Sequence, residues 1–223
     1  MDILDFHAHI LPRADHGSSS LDETLYQLAS ARENKVTRII ATPHFYPHQE
    51  NVQSFLDRRK ASCSKLQEHL TDMQLDIKLG AEILICDNIE EMPLLEKLCI
   101  SGTRTLLLEL PFTDFSQSYV NSVKNLLGKG YTVIIAHADR YDPINIDKLI
   151  GVGAFVQLNA DSLTGFFVSG HIKRWLNEDK VFALGSDIHK RDKRAYSRFK
   201  KAINKLGKNA NNVMKHSDSV WNK

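Results

Sequence analysis

A regular alternation of short apolar runs with longer segments of helical spacing is the feature that most constrains the fold. Seven runs predict strands: Ile3–Phe6, Val36–Ala41, Leu75–Leu84, Thr105–Leu110, Thr132–Ala136, Phe155–Leu158 and Val181–Leu184. After the first run, Leu21, Leu25 and Leu28 follow helical spacing. Ser20 and Glu23 form a capping-box pattern that predicts where this helix begins. The alternation predicts an α/β fold of parallel strands, in either a closed barrel or an open doubly wound sheet.

Bulk properties narrow the classes of function. The chain has 223 residues, and no linker rich in Gly, Pro or Ser divides it, so we expect one domain over residues 1–223. The 29 Lys and Arg residues nearly balance 27 Asp and Glu residues, which gives no electrostatic case for binding nucleic acid or an anionic membrane. The amino-terminal sequence predicts neither secretion nor membrane insertion. Three scattered cysteines, Cys63, Cys86 and Cys99, fit a reducing cytoplasm.

Residues that commonly bind metals follow almost every predicted strand. His7 and His9 end the first strand, and their side chains point the same way because alternate residues of an extended segment share a face. The other strands that end on such residues carry His44, Glu82, Glu109, His137, and the pair Asp187 and His189. In parallel barrels, catalytic residues collect at the carboxyl ends of several strands. These strand ends therefore predict one shared site.

The mixture of imidazoles and carboxylates indicates the class of metal. It suits Zn, Mn or Fe, whereas a Mg or Ca site is richer in oxygen ligands. The candidate ligands are too many for one ion, so we expect two or three divalent ions, with Glu82 as a bridging carboxylate. Clustered ions lower the pKa of bound water and neutralise a phosphoryl group. Arg140 and Arg194, just beyond ligand-bearing strands, can bind phosphoryl oxygens. The pattern predicts a metal-dependent phosphoesterase.

Other nucleophiles have no matching pattern. A cysteine-based phosphatase needs a Cys and an Arg that flank five residues, whereas Cys99 and Arg104 enclose four. The chain also has no glycine-rich P-loop, no G-x-S-x-G turn and no H-E-x-x-H helix. Metal-activated water is therefore the predicted nucleophile.

Six motifs follow one another between Asp5 and about Arg194. In order they are D-F-H-A-H-I-L-P, A-T-P-H, G-A-E-I, L-L-E-L-P, V-I-I-A-H-A-D-R-Y and G-S-D-I-H. Together they resemble the polymerase and histidinol phosphatase (PHP) family, and more closely its bacterial CpsB-like branch of protein-tyrosine phosphatases, encoded with capsule and exopolysaccharide genes. The resemblance implies a distorted seven-stranded β/α barrel with up to three metal ions, often manganese, with Fe, Zn or Mg as alternatives. It also implies hydrolysis of phosphotyrosine, typically on a cognate tyrosine kinase that controls polysaccharide assembly in the cytoplasm.

Carried over by position, the resemblance implies a set of metal ligands and two phosphate-binding arginines. The ligands are His7, His9, His44, Glu82, Glu109, His137, Asp187 and His189, and the arginines are Arg140 and Arg194. The chain departs from the family where Asp15-His16-Gly17 replaces Asp-Asp-Gly, so His16 joins the predicted ligands, with Asp15 as the alternative at this position. It departs again at Asp139, where relatives carry Glu, which weakens any role for this carboxylate as a proton donor.

Three other functions fit parts of the pattern. A small-molecule phosphatase, acting on histidinol phosphate or a sugar phosphate, would use the same fold and site. An amidohydrolase shares the opening H-x-H motif, but it commonly needs a carboxylated lysine on the fourth strand, where this chain has Glu109. A regulator that only binds the kinase would use the metal to hold its fold and the arginines to read phosphotyrosine. We expect the tyrosine phosphatase.

Overall fold

The computed structural model describes residues 3–112 and 115–222 of the chain. Its strands are β1 (Ile3–Ala8), β2 (Val36–Ala41), β3 (His44–Phe45), β4 (Asp76–Leu79), β5 (Glu82–Leu84), β6 (Thr105–Glu109), β7 (Thr132–Ile135), β8 (Phe155–Asn159) and β9 (Val181–Gly185). Its α-helices are α1 (Leu21–Glu33), α2 (Val52–Ser64), α3 (Gln67–Met73), α4 (Gln117–Gly128), α5 (Pro143–Gly151), α6 (Asp161–Thr164), α7 (Gly170–Asn177), α8 (Ala195–Lys205) and α9 (Ala210–Trp221). The predicted alternation of strands and helices is confirmed.

The third predicted strand, Leu75–Leu84, is wrong as one continuous strand. It divides into β4 and β5, which belong to different sheets. At the break, the Gly80 amide donates to the Ala41 carbonyl at 2.8 Å, and the Glu82 amide donates to the Pro43 carbonyl at 3.1 Å. Pro43, which has no amide hydrogen, lies between β2 and β3, beside the break between β4 and β5. The two interruptions leave Glu82 beside His44, its Cα partner in the β3–β5 ladder.

All strand pairs of the described chain are parallel, as predicted. The ladders form a three-stranded sheet in the order β1-β2-β4 and a six-stranded sheet in the order β3-β5-β6-β7-β8-β9. Beyond β9, the Asp187 amide donates to the His7 carbonyl at 2.8 Å, and the His9 amide donates to the Ile188 carbonyl at 3.0 Å. These bonds join the carboxyl ends of β1 and β9. One closed barrel sheet stays a prediction.

The predicted start of α1 is confirmed, but its capping box is only half formed. Ser20 is the N-cap, and its hydroxyl accepts from the Glu23 amide at 3.1 Å. The Glu23 carboxylate turns away from the Ser20 amide and instead accepts from the Ser19 amide at 2.8 Å and the Arg191 amide at 3.0 Å. This carboxylate therefore ties the start of α1 to the segment that follows β9.

The core draws on both sheets. β6 and β9 are buried along their whole length, as expected for parallel strands covered on both faces. A smaller apolar cluster packs Leu4 and Phe6 of β1 against Leu107, Phe182 and, from α9, Val220. The carboxy-terminal helix thus packs on the strands. No helix in residues 3–112 or 115–222 is long and apolar enough to cross a membrane.

Candidate metal centre

Glu82 lies at the centre of the predicted ligands. Its side chain is fully buried, and its Oε2 atom lies 3.2 Å from His7 Nε2, 3.1 Å from His9 Nε2 and 3.0 Å from His44 Nδ1. Its other oxygen, Oε1, lies 2.7 Å from His137 Nε2. Four imidazoles therefore surround a single carboxylate: two from the carboxyl end of β1, one from β3 and one that follows β7.

Two further carboxylates flank Glu82. Asp187 Oδ1 lies 3.4 Å from both His9 Nε2 and His189 Nδ1. On the other side, Glu109 oxygens lie 3.6 Å from His44 Nδ1 and from His137 Nε2. The structure therefore brings together all eight ligands that the family resemblance implied. Three combinations place their donor atoms within 4.8 Å of one another: His9 with His44 and His189, His7 with His9 and Glu82, and His44 with Glu82 and Glu109.

Oxygen atoms behind the histidines fix the orientation of three rings. Gln157 Oε1 lies 2.9 Å from His7 Nδ1, Asp15 Oδ2 lies 2.7 Å from His9 Nδ1, and the Asp187 carbonyl lies 2.9 Å from His189 Nδ1. Because each oxygen accepts a hydrogen bond, we assign the proton of each neutral ring to Nδ1. This tautomer leaves Nε2 of all three rings free as a metal ligand.

Two glycines make room for the first two histidines. A Cβ atom added at Gly17 would lie 2.5 Å from the His9 Cβ, and one added at Gly185 would lie 2.5 Å from the His7 Cβ. Real Cβ atoms essentially never approach so closely. The backbone therefore passes directly behind both ligands.

Polar atoms without partners indicate that this cluster fits cations. His7 Nε2 and His9 Nε2 lie 3.0 Å apart, and in the assigned tautomers both carry lone pairs, so a proton or a metal ion must separate them. Within the described chain, four of the buried side-chain atoms that form no hydrogen bond belong to this cluster: Glu82 Oε2, Asp187 Oδ1, His44 Nδ1 and His137 Nδ1. Leaving such atoms unsatisfied costs about 1–3 kcal/mol each. Divalent ions would satisfy donors of this chemistry.

The charges of the cluster favour protonation when no metal competes. Burial alone would lower the pKa of His9, but the carboxylates of Asp15, Asp187 and Glu82 raise it well above its usual value. Burial also opposes protonation of His137, yet Glu109 and Glu82 raise its pKa to about 9. Metal ions must therefore displace protons from these rings at neutral pH.

Arg140 stands at the exposed edge of the cluster. It ends the 3-10 turn Ala138–Arg140 that follows His137, and its guanidinium donates to Asp187 Oδ2. It lines a cavity of about 420 Å³, together with Asp139, Asn159, Asp161, Ser186, Asp187, Ile188, His189, Lys190, Asp192, Ala195 and Arg198. A buried, histidine-rich floor with an arginine at its open side suits an anionic substrate such as a phosphate ester.

The family model for capsular polysaccharide synthesis, CpsB/CapC, matches residues 3–220. The chain belongs to this family. It is 31% identical to CapC of Staphylococcus aureus over 199 residues, which is 84% of this chain and 77% of that protein. It is 26% identical to the tyrosine-protein phosphatase CpsB of Streptococcus pneumoniae over 212 residues, or 86% of this chain and 85% of the relative.

Solved structures confirm the α/β fold. Crystal structures exist for YwqE from Bacillus subtilis and CpsB from Streptococcus pneumoniae, described as unique metal-dependent tyrosine phosphatases. One chain of these crystal structures superposes on this CpsB/CapC chain with a TM-score of 0.80 and 22% sequence identity. The superposition covers 99% of this chain and 94% of the matched chain.

At the position that departs from the family pattern, His16 and Asp15 have different environments. Both oxygens of Asp15 are used within the protein, since they accept from His9 and from the amides of Gly17 and His44. His16 is exposed, and its ring stacks on His44 with 4.4 Å between centroids. The geometry favours His16 as the residue with free donor atoms and Asp15 as the residue that orients His9. The ligand role of His16 stays a prediction.

The second predicted arginine does not reach the cluster. Arg194 is exposed immediately before α8, and its guanidinium forms no hydrogen bond or ion pair with the site within the described chain. Its phosphate-binding role stays a prediction. Arg198 lines the cavity instead, with ion pairs of 2.7 Å to Asp161 and 2.6 Å to Asp192.

Sequence reasoning gave no role to several residues that act behind or beside the ligands. Gln157 holds His7 and also accepts from the His137 amide at 2.7 Å, and Asn159 donates to Asp187 Oδ2 at 3.1 Å. Their alternate spacing on β8 was an available signal, because it places both on one face. Arg198 lies on α8, and it had no predicted role. Its carboxylate partners come from other segments, so no local signal identified it.

Proposed function

We propose that this CpsB/CapC chain is a metal-dependent protein-tyrosine phosphatase. The observation that carries the proposal is the buried Glu82 carboxylate, faced by imidazoles on both oxygens, with Arg140 at the open edge. The relatives CpsB and YwqE are tyrosine-protein phosphatases, which supports the same reaction. The substrate is a tyrosine-phosphorylated protein, for which a cognate tyrosine kinase of capsule or exopolysaccharide synthesis is our candidate, and the reaction takes place in the cytoplasm.

The cluster would hold two or three divalent ions, with manganese as the first candidate and Fe, Zn or Mg as alternatives. His7, His9, His16, His44, Glu82, Glu109, His137, Asp187 and His189 are the proposed ligands. When bound, such ions lower the pKa of water and stabilise negative charge on a phosphoryl group. Gln157 and Asp15 keep the His7 and His9 rings oriented.

Arg140 is proposed to bind the phosphoryl oxygens. Its guanidinium offers several donors in one plane, which suits two oxygens of one phosphoryl group. The contact with Asp187 places the guanidinium beside the cluster without using all its donors. Negative charge develops on the phosphoryl oxygens and the leaving phenolate during hydrolysis, so a fixed cation at this edge stabilises the transition state. Arg194 is the second proposed phosphate ligand and would have to move toward the cluster.

The proposed site needs one folding unit. We propose that residues 1–223 form a single domain and that the strands close into a distorted seven-stranded ring, in which β3 continues β2 and β5 continues β4. The hydrogen bonds between Asp187 and His7 and between His9 and Ile188 support this closure, since they join the first and last strands. Residues of both sheets then reach the same carboxyl-end site.

The test compares hydrolysis of a phosphotyrosine peptide and of histidinol phosphate by protein of measured metal content. We expect peptide turnover to disappear after chelation and to return with added Mn²⁺ in proportion to bound metal. Activity that survives verified metal removal would refute the mechanism. Turnover of histidinol phosphate alone would move the function to small-molecule metabolism and leave the site intact.

A further inference from the structure

A second cavity, of about 220 Å³, adjoins the candidate site and differs from the first in its chemistry. It shares Arg140 with the larger cavity, and its other lining residues are Leu110, Pro111, Phe112, Phe115, Tyr119, Tyr141, Asp142 and Asn145. The larger cavity is lined mainly by charged and amide side chains, whereas four aromatic rings line this groove. Arg140 is the one residue that lines both.

An unbroken series of rings leads from the metal cluster to the groove. The Tyr141 ring lies 5.5 Å from the ring of the proposed ligand His137, and the Phe112 ring lies 5.7 Å from Tyr141, measured between centroids. Tyr141 is held in place because its hydroxyl donates to the Leu110 carbonyl at 2.9 Å. The inner part of the aromatic wall is therefore fixed before any ligand arrives.

Phe112 at the outer end is 73% exposed. A single exposed phenylalanine is ordinary on a protein surface. Phe112 differs because it faces a groove whose other end reaches the proposed phosphate-binding arginine. Covering this ring with an apolar group would remove both surfaces from water, which is favourable.

We infer that this groove binds the phenyl ring of the substrate's phosphotyrosine, with Tyr141 and Phe112 as the residues that select an aryl phosphate. This inference rests on the proposed function. The phosphoryl group is an anion and belongs in the polar cavity beside Arg140, and the ring is joined to it through one ester oxygen. The ring must therefore lie immediately beside Arg140, where the apolar groove begins.

The size of the groove agrees with this occupant. A cavity of about 150 Å³ is known to hold a benzene ring, so 220 Å³ accommodates one phenyl group. Ring contacts with Tyr141 and Phe112 add attraction that an alkyl phosphate cannot obtain. Phosphoserine places no ring here and would leave the aromatic wall facing water. The groove would thus allow the site to prefer phosphotyrosine over phosphoserine.

The test uses two competitive inhibitors on the metal-loaded full chain, inorganic phosphate and phenylphosphonate, in which a phenyl group replaces one oxygen of phosphate. For Phe112→Ala we expect the inhibition constant of phenylphosphonate and the KM for a phosphotyrosine peptide to rise about tenfold. The inhibition constant of inorganic phosphate should stay unchanged. Phe112→Tyr should restore both values. Phe166→Ala, which removes a 98% exposed ring outside the groove, is the matched control and should change neither.

Two results would overturn the inference. In the first, the inhibition constant of phenylphosphonate in Phe112→Ala stays at the wild-type value. In the second, the inhibition constants of both inhibitors rise equally, which indicates damage to the phosphate site. Failure of the proposed function is distinguishable, because a metal-loaded wild-type protein without any phosphotyrosine hydrolysis overturns the function itself. Wild-type hydrolysis with an unchanged inhibitor ratio in Phe112→Ala overturns the groove alone.

Discussion

The floor and the rim of the candidate site are built from different kinds of structure. The floor is made of residues in strands or directly after them, such as His7, His9 and Glu82, which are fully buried. The rim is made of exposed residues on turns and at a helix start, His16, Arg140 and Arg194. Strand register fixes the relative positions of the floor residues, whereas each rim residue depends on the path of its own loop. We therefore expect the floor to decide metal binding and the rim to decide substrate binding.

The largest effect should follow a change in the floor. Glu82→Gln removes the charge that faces four imidazoles and should abolish both metal retention and phosphoester hydrolysis, because the amide cannot bridge cations as a carboxylate does. Metal analysis after dialysis and the hydrolysis rate measure the two losses. Glu68→Gln, on the exposed surface of α3, is the matched control. Full metal content in Glu82→Gln would remove Glu82 from the centre of the site.

A change in the rim should separate catalysis from metal content. Arg140→Ala should lower kcat/KM by about 100-fold, the range found when one donor to a developing oxyanion is lost, while bound metal stays at the wild-type level. Arg174→Ala removes a similarly exposed arginine, paired with Asp147, and serves as control. If Arg140→Ala loses metal together with activity, the separation between floor and rim does not hold.

The residue behind His9 should affect the floor indirectly. Asp15→Asn should weaken metal affinity by about tenfold, since outer-shell partners of histidine ligands typically contribute this much or more. A metal titration against a competing chelator gives the affinity, with the exposed substitution Asp72→Asn as reference. An unchanged affinity, combined with a loss in His16→Ala, would show that this segment acts through His16 only.

The smallest effect is expected at the outer rim. Arg194 is exposed and does not contact the cluster within the described residues, so Arg194→Ala should change kcat/KM by about threefold or less, as for a solvent-screened charge. Steady-state kinetics on the phosphotyrosine peptide decide the matter. A loss as large as that of Arg140→Ala would mean that Arg194, once it has moved, holds the phosphate as firmly as Arg140 does.

Sequence reasoning predicted the floor better than the rim for a physical reason. Alternation in H-x-H and the positions of ligands after parallel strands are local signals, and they identified the buried cluster around Glu82. The division of Leu75–Leu84 was missed because it arises where the Gly80 and Glu82 amides bond to the distant segment 41–43. The oxygen that orients His7 was missed for the same reason, since Gln157 is 150 residues away from His7. Asp15, which orients His9, was considered only as a possible ligand.

The two glycines behind the histidines carry a consequence for mutational tolerance. Gly17 and Gly185 have no side chain to bind metal or substrate, yet any side chain at either position would press on a ligand's Cβ. Substitution to alanine, usually the mildest change available, would here displace His9 or His7 while every proposed ligand residue stays in the sequence. Random mutagenesis should therefore find inactive variants at positions with no functional group, and chains that have lost catalysis through drift can retain an intact-looking set of ligands.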